Sequence, residues 1–253
     1  MKIQYCSDLH LEFDANRDYL DLHPISPFGD ILILAGDIVP FNAINRANYF
    51  FDEVSELFDS VYWVAGNHEY YHGDLAGYTG SFMKSIRPNV HLVNNQVIES
   101  GGLRIICSTM WTKISALNSY RIKSIMNDFR LIDAGSHILN VDDYNSLYAE
   151  NLDFLTVELS KSFNGKTIVA THHVPTFMNY PAEYKGSVLN EAFAVELSEL
   201  IHETKPDYWI FGHHHRNIEP FIIGDTKLLT NQLGYVQSGE HVKFDTGKFI
   251  ELM

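Results

Sequence analysis

The chain has 253 residues, of which 45% are apolar, 20% charged and 13% aromatic, with a formal net charge of −14. This composition supports a sizeable buried core and excludes a disordered or low-complexity chain. An excess of 32 acidic over 18 basic residues repels polyanions at long range, so extended nucleic acid is not an expected partner, whereas a small phosphate ester held by a local positive site is admitted.

In chain order, the opening run MKIQYCSDLHLEF has an acid at Asp8 and no continuous apolar stretch, which predicts no cleaved leader. Ile3–Cys6 and Ile31–Ala35 predict buried strands, and a helix is expected from Asn45 to about Phe58, where Tyr49, Phe50, Val54, Leu57 and Phe58 recur at helical spacing. Val61–Ala65 is another buried strand. Val90–Val93 and Val97–Glu99 are shorter and predict antiparallel hairpin strands, with Ser100-Gly101-Gly102 as a turn before the strand Leu103–Cys107. Thr112–Asn140 is less regular and predicts a functional loop such as a lid or rim. A second helix is expected from about Asp142 to Phe163 and a third from Asn190 to about Thr204, with the strand Thr167–Ala170 between them. The strand Tyr208–Phe211 and a hairpin of Phe221–Ile223 and Leu228–Asn231 about Gly224-Asp225 follow. Aromatic and leucine stripes in these elements predict core packing. The alternation of strands and helices, with no repeat, linker or charge block, predicts one mixed α/β domain spanning residues 1–253. Cys6 and Cys107 sit in apolar runs outside any CxxC and read as buried reduced thiols. Apolar stretches such as Ile31–Ala35 fall far short of the ~20 residues of a membrane span, so a cytoplasmic protein without a membrane partner is expected.

The 13 histidines locate the chemistry. Five strand-like runs end in metal-type residues: Asp8-Leu9-His10, Gly36-Asp37, Gly66-Asn67-His68-Glu69, His172-His173 and Gly212-His213-His214-His215. Ligands in α/β sheets collect at the carboxyl ends of strands, so these ends can converge although they are far apart in sequence. Carboxylate, amide and imidazole donors without a thiolate suit Mn, Fe, Zn, Co or Ni. In Asp8-x-His10 and His213-x-His215 an extended backbone would put both side chains of each pair on one side. Gly36, Gly66 and Gly212 each precede a candidate ligand and would permit the turn off the strand.

These blocks, in this order, resemble the calcineurin-like metallophosphoesterases, whose pattern runs Asp-x-His, Gly-Asp, Gly-Asn-His-Asp/Glu, a single His after a strand, and Gly-His-x-His. The run Ser7 to Phe13, Met126-Asn127-Asp128-Phe129, Thr171 to Pro175, Asp207 to Ile210, and Asn231 with Gly234-Tyr235 are similar to a bacterial-type branch, so the resemblance covers essentially the whole chain. Gly36-Asp37-Ile38-Val39-Pro40 departs from the Gly-Asp-x-x-Asp-Arg-Gly block of the Ser/Thr protein phosphatases, and that activity is not implied. The resemblance implies a two-layer β-sandwich flanked by helices, with two divalent metal ions at one edge. It distributes Asp8, His10 and His215 to one ion and Asn67, His172 and His213 to the other, with Asp37 bridging and His68 as the catalytic histidine that reaches the substrate. His172 is preferred to His173 because it comes first after the strand, and His214 is the variable position expected to point away. Glu69 is expected to give structural support. His72, His173, Arg121 and Arg130 are possible substrate or supporting contacts, and Trp111, Tyr180 and Tyr184 are candidates for an aromatic wall or for packing.

Two divalent ions facing two carboxylates would leave a local charge of about +2, suited to holding a phosphate group and to acidifying a water that bridges them. The expected function is therefore a dinuclear metal-dependent phosphoester hydrolase, in which bridging hydroxide attacks phosphorus in line, acting on a small phosphomonoester or phosphodiester. One alternative is a phosphodiesterase or nuclease-type enzyme acting on cyclic nucleotides or nucleic acid ends. Another is a non-catalytic scaffold of the same fold.

Overall fold

The computed structural model describes residues 1–252. Its strands are β1 (Lys2–Cys6), β2 (Ile31–Ala35), β3 (Ser60–Val64), β4 (Gly73–Asp74), β5 (Phe82–Arg87), β6 (Val90–Asn94), β7 (Gln96–Ser100), β8 (Leu103–Ser108), β9 (Ile132–Ala134), β10 (His137–Ile138), β11 (Lys166–Thr171), β12 (Tyr208–Ile210), β13 (Phe221–Ile223), β14 (Thr226–Leu229) and β15 (Phe249–Glu251). Two six-stranded sheets, ordered β15-β1-β2-β3-β6-β5 and β13-β14-β12-β11-β8-β7, carry the fold, beside a small sheet β10-β9-β4. In each large sheet four central strands run parallel and both edge strands are antiparallel.

The continuous apolar character of the central strands follows from burial on both faces. Ile3, Tyr5, Ile33, Ala35 and Val64 of the first sheet meet Ile105, Cys107, Ile168, Ala170 and Ile210 of the second in the core between the layers. The alternate residues Leu32, Leu34, Val61 and Trp63 face outward and are covered by Phe50, Phe51 and Val54. On the other side Ile106, Val169, Trp209 and Leu228 are covered by Leu155, Leu159 and Ile201. The result is a two-layer sandwich flanked by helices. The chain passes between the layers at Asn95, which has φ of 48° and separates β6 from β7. Val90–Val93 and Val97–Glu99 therefore belong to different sheets: β6 pairs with β5 and β3, while β7 forms the expected hairpin with β8.

The helices are α1 (Asp14–Leu22), α2 (Asn48–Leu57), α3 (Ser119–Ile125), α4 (Asp128–Leu131), α5 (Val141–Ser160), α6 (Asn190–Phe193) and α7 (Ser198–Thr204). Helix α5 starts at a capping box, in which Asn140 accepts from the backbone of Asp142 and Asp143 and the Asp143 side chain returns to Asn140. The other two expected helices differ. Residues 41–47, after Pro40, wind as a 3-10 turn, so α2 starts at Asn48 and not at Asn45. The helix expected over 190–204 is broken at Ala194, which is extended and bridges Val174. There the N–H of Val195 donates to the Val174 carbonyl (3.0 Å) and that of Leu197 to Pro175 (2.9 Å), so backbone hydrogen bonds go to the segment after β11 and not along a helix. The segment 112–140 is not a bare loop: it holds α3, α4, β9 and β10. Helix α1 escapes a sequence reading because only Asn16 and Leu20 of its nine residues are buried. Among the described residues no helix is long and apolar enough to cross a membrane. Cys6 and Cys107 are buried free thiols, and burial pushes the Cys107 thiol up to about 12.

Candidate metal centre

The carboxyl ends of β1, β2, β3, β11 and β12 meet at one edge of the sandwich. Asp8, His10, Asp37 and His215 there offer ligand atoms within 4.8 Å of one another, and so do Asp37, His172 and His213. Asp37 belongs to both groups. Its two carboxylate oxygens face opposite ways, Oδ1 at 3.3 Å from His172 Nε2 and Oδ2 at 3.8 Å from His10 Nε2. Asn67 joins the second group, with Oδ1 at 3.1 Å from His172 Nε2. All seven expected ligands are thus brought together.

The backbone achieves this differently from the extended spacing expected. Asp8, His10, Asp37, His213 and His215 all have positive φ, between 48° and 77°. The ends of β1, β2 and β12 thus turn through the left-handed region, which L-residues enter only when surrounding bonds hold them, whereas Asn67 after β3 has φ of −77°. Here the N–H of Asp8 donates to Gly36 O (2.9 Å), that of His10 to Asp37 O (2.9 Å), that of His213 to Asp8 Oδ1 (3.0 Å) and that of His215 to Gln232 Oε1 (2.7 Å). Of the three glycines only Gly36 needs its conformational freedom, at φ of 90°. Gly66 and Gly212 are required for room: a Cβ would overlap the Asp37 carboxylate at the first and crowd the Asp8 carboxylate at the second.

The donor set fits cations. His10 Nδ1 lies 3.2 Å from Glu12 Oε1, and His215 Nδ1 lies 2.8 Å from Glu240 Oε2. A carboxylate accepts only, so each Nδ1 carries a proton, and a ring that has given up its Nε2 proton presents a lone pair at Nε2. Those two Nε2 atoms face each other at 3.0 Å, beside the Asp8 and Asp37 oxygens. The second group repeats the arrangement. His172 Nδ1 donates to the Ala35 carbonyl (3.0 Å), and Asn67 Nδ2 donates to Asp128 Oδ1 (2.9 Å), which turns the Asn67 carbonyl oxygen toward His172 Nε2. Electron pairs opposed to electron pairs are reconciled by positive charge. Burial lowers the pKa of His172, but Asp37 beside it prevails and raises it to about 9; burial likewise opposes, and the bonds to Asp8 and Glu240 raise, His215 to about 10.

His68 stands beside the two groups. Its N–H donates to Asp37 Oδ1 (2.9 Å), its Nδ1 donates to Glu12 Oε1 (3.0 Å), and its Nε2 faces Tyr235 OH at 3.4 Å. Burial disfavours its charged form, but Asp37 and Glu12 outweigh burial and raise its pKa. A cavity of about 340 Å³ opens over Asp37, Asn67, His68, His213 and His215, with Met126, Tyr180, Tyr184, Leu189 and Phe193 on its other walls.

The remaining expectations divide. Glu69 is buried and accepts from the backbone N–H groups of Asp37 (2.9 Å), Ile38 (2.6 Å) and Gly66 (2.6 Å) and from Trp63 Nε1 (3.1 Å), a bracing role for two of the turns. His173 is fully buried under His213, donates from Nδ1 to Thr109 O (3.2 Å), and is held neutral by burial and by the neighbouring His172, with its pKa lowered to about 3. It therefore has no access to substrate. His214 lies outside both ligand groups and packs on Phe211, with Nδ1 at 2.9 Å from Gln232 Nε2, but it also lines the cavity and so does not point wholly away from it. Tyr180 and Tyr184 do line the cavity, whereas Trp111 is a core residue against Tyr144. His72, Arg121 and Arg130 are exposed and line no part of the cavity; the Arg130 guanidinium turns to the Ser124 carbonyl. Three supporting residues were given no role from sequence: Glu12, Asp128 and Glu240. Glu12 and Asp128 lie in runs that carry the family resemblance.

The family model described as calcineurin-like phosphoesterase matches residues 1–217. The chain belongs to the calcineurin-like phosphoesterase family. A relative that aligns nearly end to end is an uncharacterized protein of Acanthamoeba polyphaga mimivirus, 30% identical over 282 residues and aligned across 99% of this chain and 96% of its own. Among solved structures, the phosphopantetheinyl hydrolase PptH of Mycobacterium tuberculosis superposes with a TM-score of 0.72 at 14% identity, covering 96% of this chain and 92% of that one, a likeness of fold. In this member of the family the family blocks and the convergent strand ends are the same residues.

Proposed function

We propose that the protein is a metal-dependent phosphoester hydrolase with a dinuclear centre. Asp8, His10 and His215 would hold one divalent ion and Asn67, His172 and His213 the other, with Asp37 shared. The observation that carries this reading is the pair of opposed acceptor sets joined by the two oxygens of one carboxylate. Divalent transition-metal ions there supply positive charge for a phosphate group and acidify water at neutral pH.

The protein's own part is orientation and proton delivery. Glu12 fixes the tautomer of both His10 and His68 through one oxygen, so the proton on Nε2 of a charged His68 is directed into the cavity. His68 is the group positioned to protonate the leaving oxygen of the ester, a contribution of about 10²–10⁴-fold. Ser7 donates to Asp8 Oδ2, and Asp128 fixes the Asn67 amide, so the ligand atoms are aimed before any ion binds.

The test is hydrolysis of p-nitrophenyl phosphate and bis-p-nitrophenyl phosphate by manganese-loaded protein, with metal content measured in parallel. Hydrolysis stimulated by Mn²⁺, abolished by EDTA and lowered about 10²–10⁴-fold in kcat by His68→Ala with two metal equivalents retained is the expected result. The two esters distinguish a monoesterase from a diesterase. A His68→Ala protein that loses metal would make His68 a ligand, and metal-replete protein inactive on both esters would favour the non-catalytic scaffold.

A further inference from the structure

From the cavity walls we infer the substrate class: a phosphoester of an uncharged aromatic or alkyl alcohol, bearing one phosphate group and no second anion. The inference rests on the hydrolase reading and narrows it.

Charge is the first argument. The ligand groups lie at one end of the cavity, and among the described residues no lysine or arginine lines the remainder. The nearby guanidinium of Arg216 is already engaged, with Nε 3.0 Å from Glu183 and Nη1 4.0 Å from Glu240. Glu240 itself lines the cavity. A second phosphate or a carboxylate on the substrate would lose its water, meet carboxylates and find no unpaired cation.

The walls supply the second argument. Ile125 and Met126, at the end of α3, form one side, and Tyr180, Tyr184, Leu189 and Phe193 form another. The Phe193 ring lies 4.3 Å from the His213 ring, so the apolar wall begins beside the phosphate end and an alcohol carried by that phosphate meets it at once. Tyr184 is tied through its hydroxyl to His214 O (3.3 Å), and Tyr180 is almost completely buried, so both rings are held in place. Beyond the Asp, Glu and His side chains, the polar groups lining the cavity are uncharged: the amides of Asn67, Asn127 and Asn190, the last donating to the Tyr184 carbonyl at 2.8 Å, and the hydroxyls of Ser187 and the tyrosines. A volume of about 340 Å³ suits a small molecule.

The test uses a matched pair of non-hydrolysable ligands, benzylphosphonate and 4-carboxybenzylphosphonate, titrated calorimetrically into manganese-loaded protein. Benzylphosphonate should bind about 10-fold more tightly or better, because the added carboxylate finds no partner. Leu189→Lys, or Ser187→Arg at an exposed position, should narrow that gap by strengthening binding of the carboxylated ligand. Equal or tighter binding of 4-carboxybenzylphosphonate to the wild type, or binding of neither ligand, overturns the inference. Phenyl phosphate and 4-carboxyphenyl phosphate separate it from the reading beneath it. Equal Mn-dependent turnover of both sinks the substrate class and leaves the hydrolase, whereas selective binding with no turnover of any ester sinks the hydrolase and leaves the ligand class.

Discussion

Glu12 Oε1 sits between two imidazoles, 3.0 Å from His68 Nδ1 and 3.2 Å from His10 Nδ1. One carboxylate oxygen thus orients a proposed proton donor and a proposed metal ligand together. Its pKa shows the same coupling: burial pushes it up, but the bonds from His10 and His68 outweigh burial and bring it down to about 2.

Replacing Glu12 by Gln keeps the shape and removes the charge. The amide can turn its NH₂ into the place of Oε1, which faces both rings, and force the wrong tautomer on them. The expected outcome is a loss of about 10–100-fold in kcat or metal affinity, the usual scale for the partner of a metal-ligating histidine. Steady-state kinetics with metal analysis checks it, and wild-type values for both would remove Glu12 from the mechanism.

Asp128 acts on the other group. It is fully buried and accepts from Asn67 Nδ2 (2.9 Å) and Tyr71 OH (2.7 Å). Without it the Asn67 amide can rotate and present NH₂ where the carbonyl oxygen now faces His172. Asp128→Ala should weaken metal binding by about 10–100-fold at the Asn67, His172 and His213 group and spare the other. Competitive titration with a metal-sensitive dye should then resolve one weakened equivalent; equal weakening of both equivalents would contradict the division.

What was legible in the sequence follows from where the determining interactions lie. The ligand blocks are short and each ends a strand that is apolar throughout, so both strand and site could be read locally. Glu12 and Asp128 could not be assigned roles, because an isolated acid reads as a solvated one until the fold buries it. The reverse error befell Arg121, Arg130 and His72, polar residues in promising segments that the fold leaves outside. Ala194 lies in a stretch with helical spacing, yet its backbone pairs with Val174, a partner twenty residues away that no local pattern reveals.

The glycines before the ligands are a steric matter at Gly66 and Gly212. An added methyl at Gly66 meets both the Asp37 carboxylate and, at 2.7 Å, the Asp37 backbone nitrogen, which cannot move without disturbing β2. Gly66→Ala should cost about 1–3 kcal/mol of stability, as overpacking does, and should also lower metal occupancy. Gly77, where an added Cβ meets nothing within 4 Å, gives the control for space, although its φ of 82° adds backbone strain of its own. Thermal unfolding with and without Mn²⁺ measures both effects. A Gly66→Ala protein with native stability and native metal content would refute the steric account.

Acid sensitivity is expected from Glu191, which ties the segment before α3 to α6. Its carboxylate accepts from the Ser115 N–H (2.8 Å), the Ser115 hydroxyl (3.0 Å) and Asn118 Nδ2 (2.6 Å). Burial raises its pKa, but these hydrogen bonds prevail and hold it below the ordinary 4.5. Because the folded-state value lies below the unfolded one, the unfolded chain takes up the proton first as pH falls. The stabilisation is therefore complete above about pH 4.5 and is lost as pH drops through the lower folded value. Glu191→Gln removes this dependence. The difference in unfolding midpoint between wild type and variant should be constant from pH 7 to about 5.5 and shrink below about pH 4.5; a difference that widens on acidification would mean that the carboxylate is not held ionised by Ser115 and Asn118.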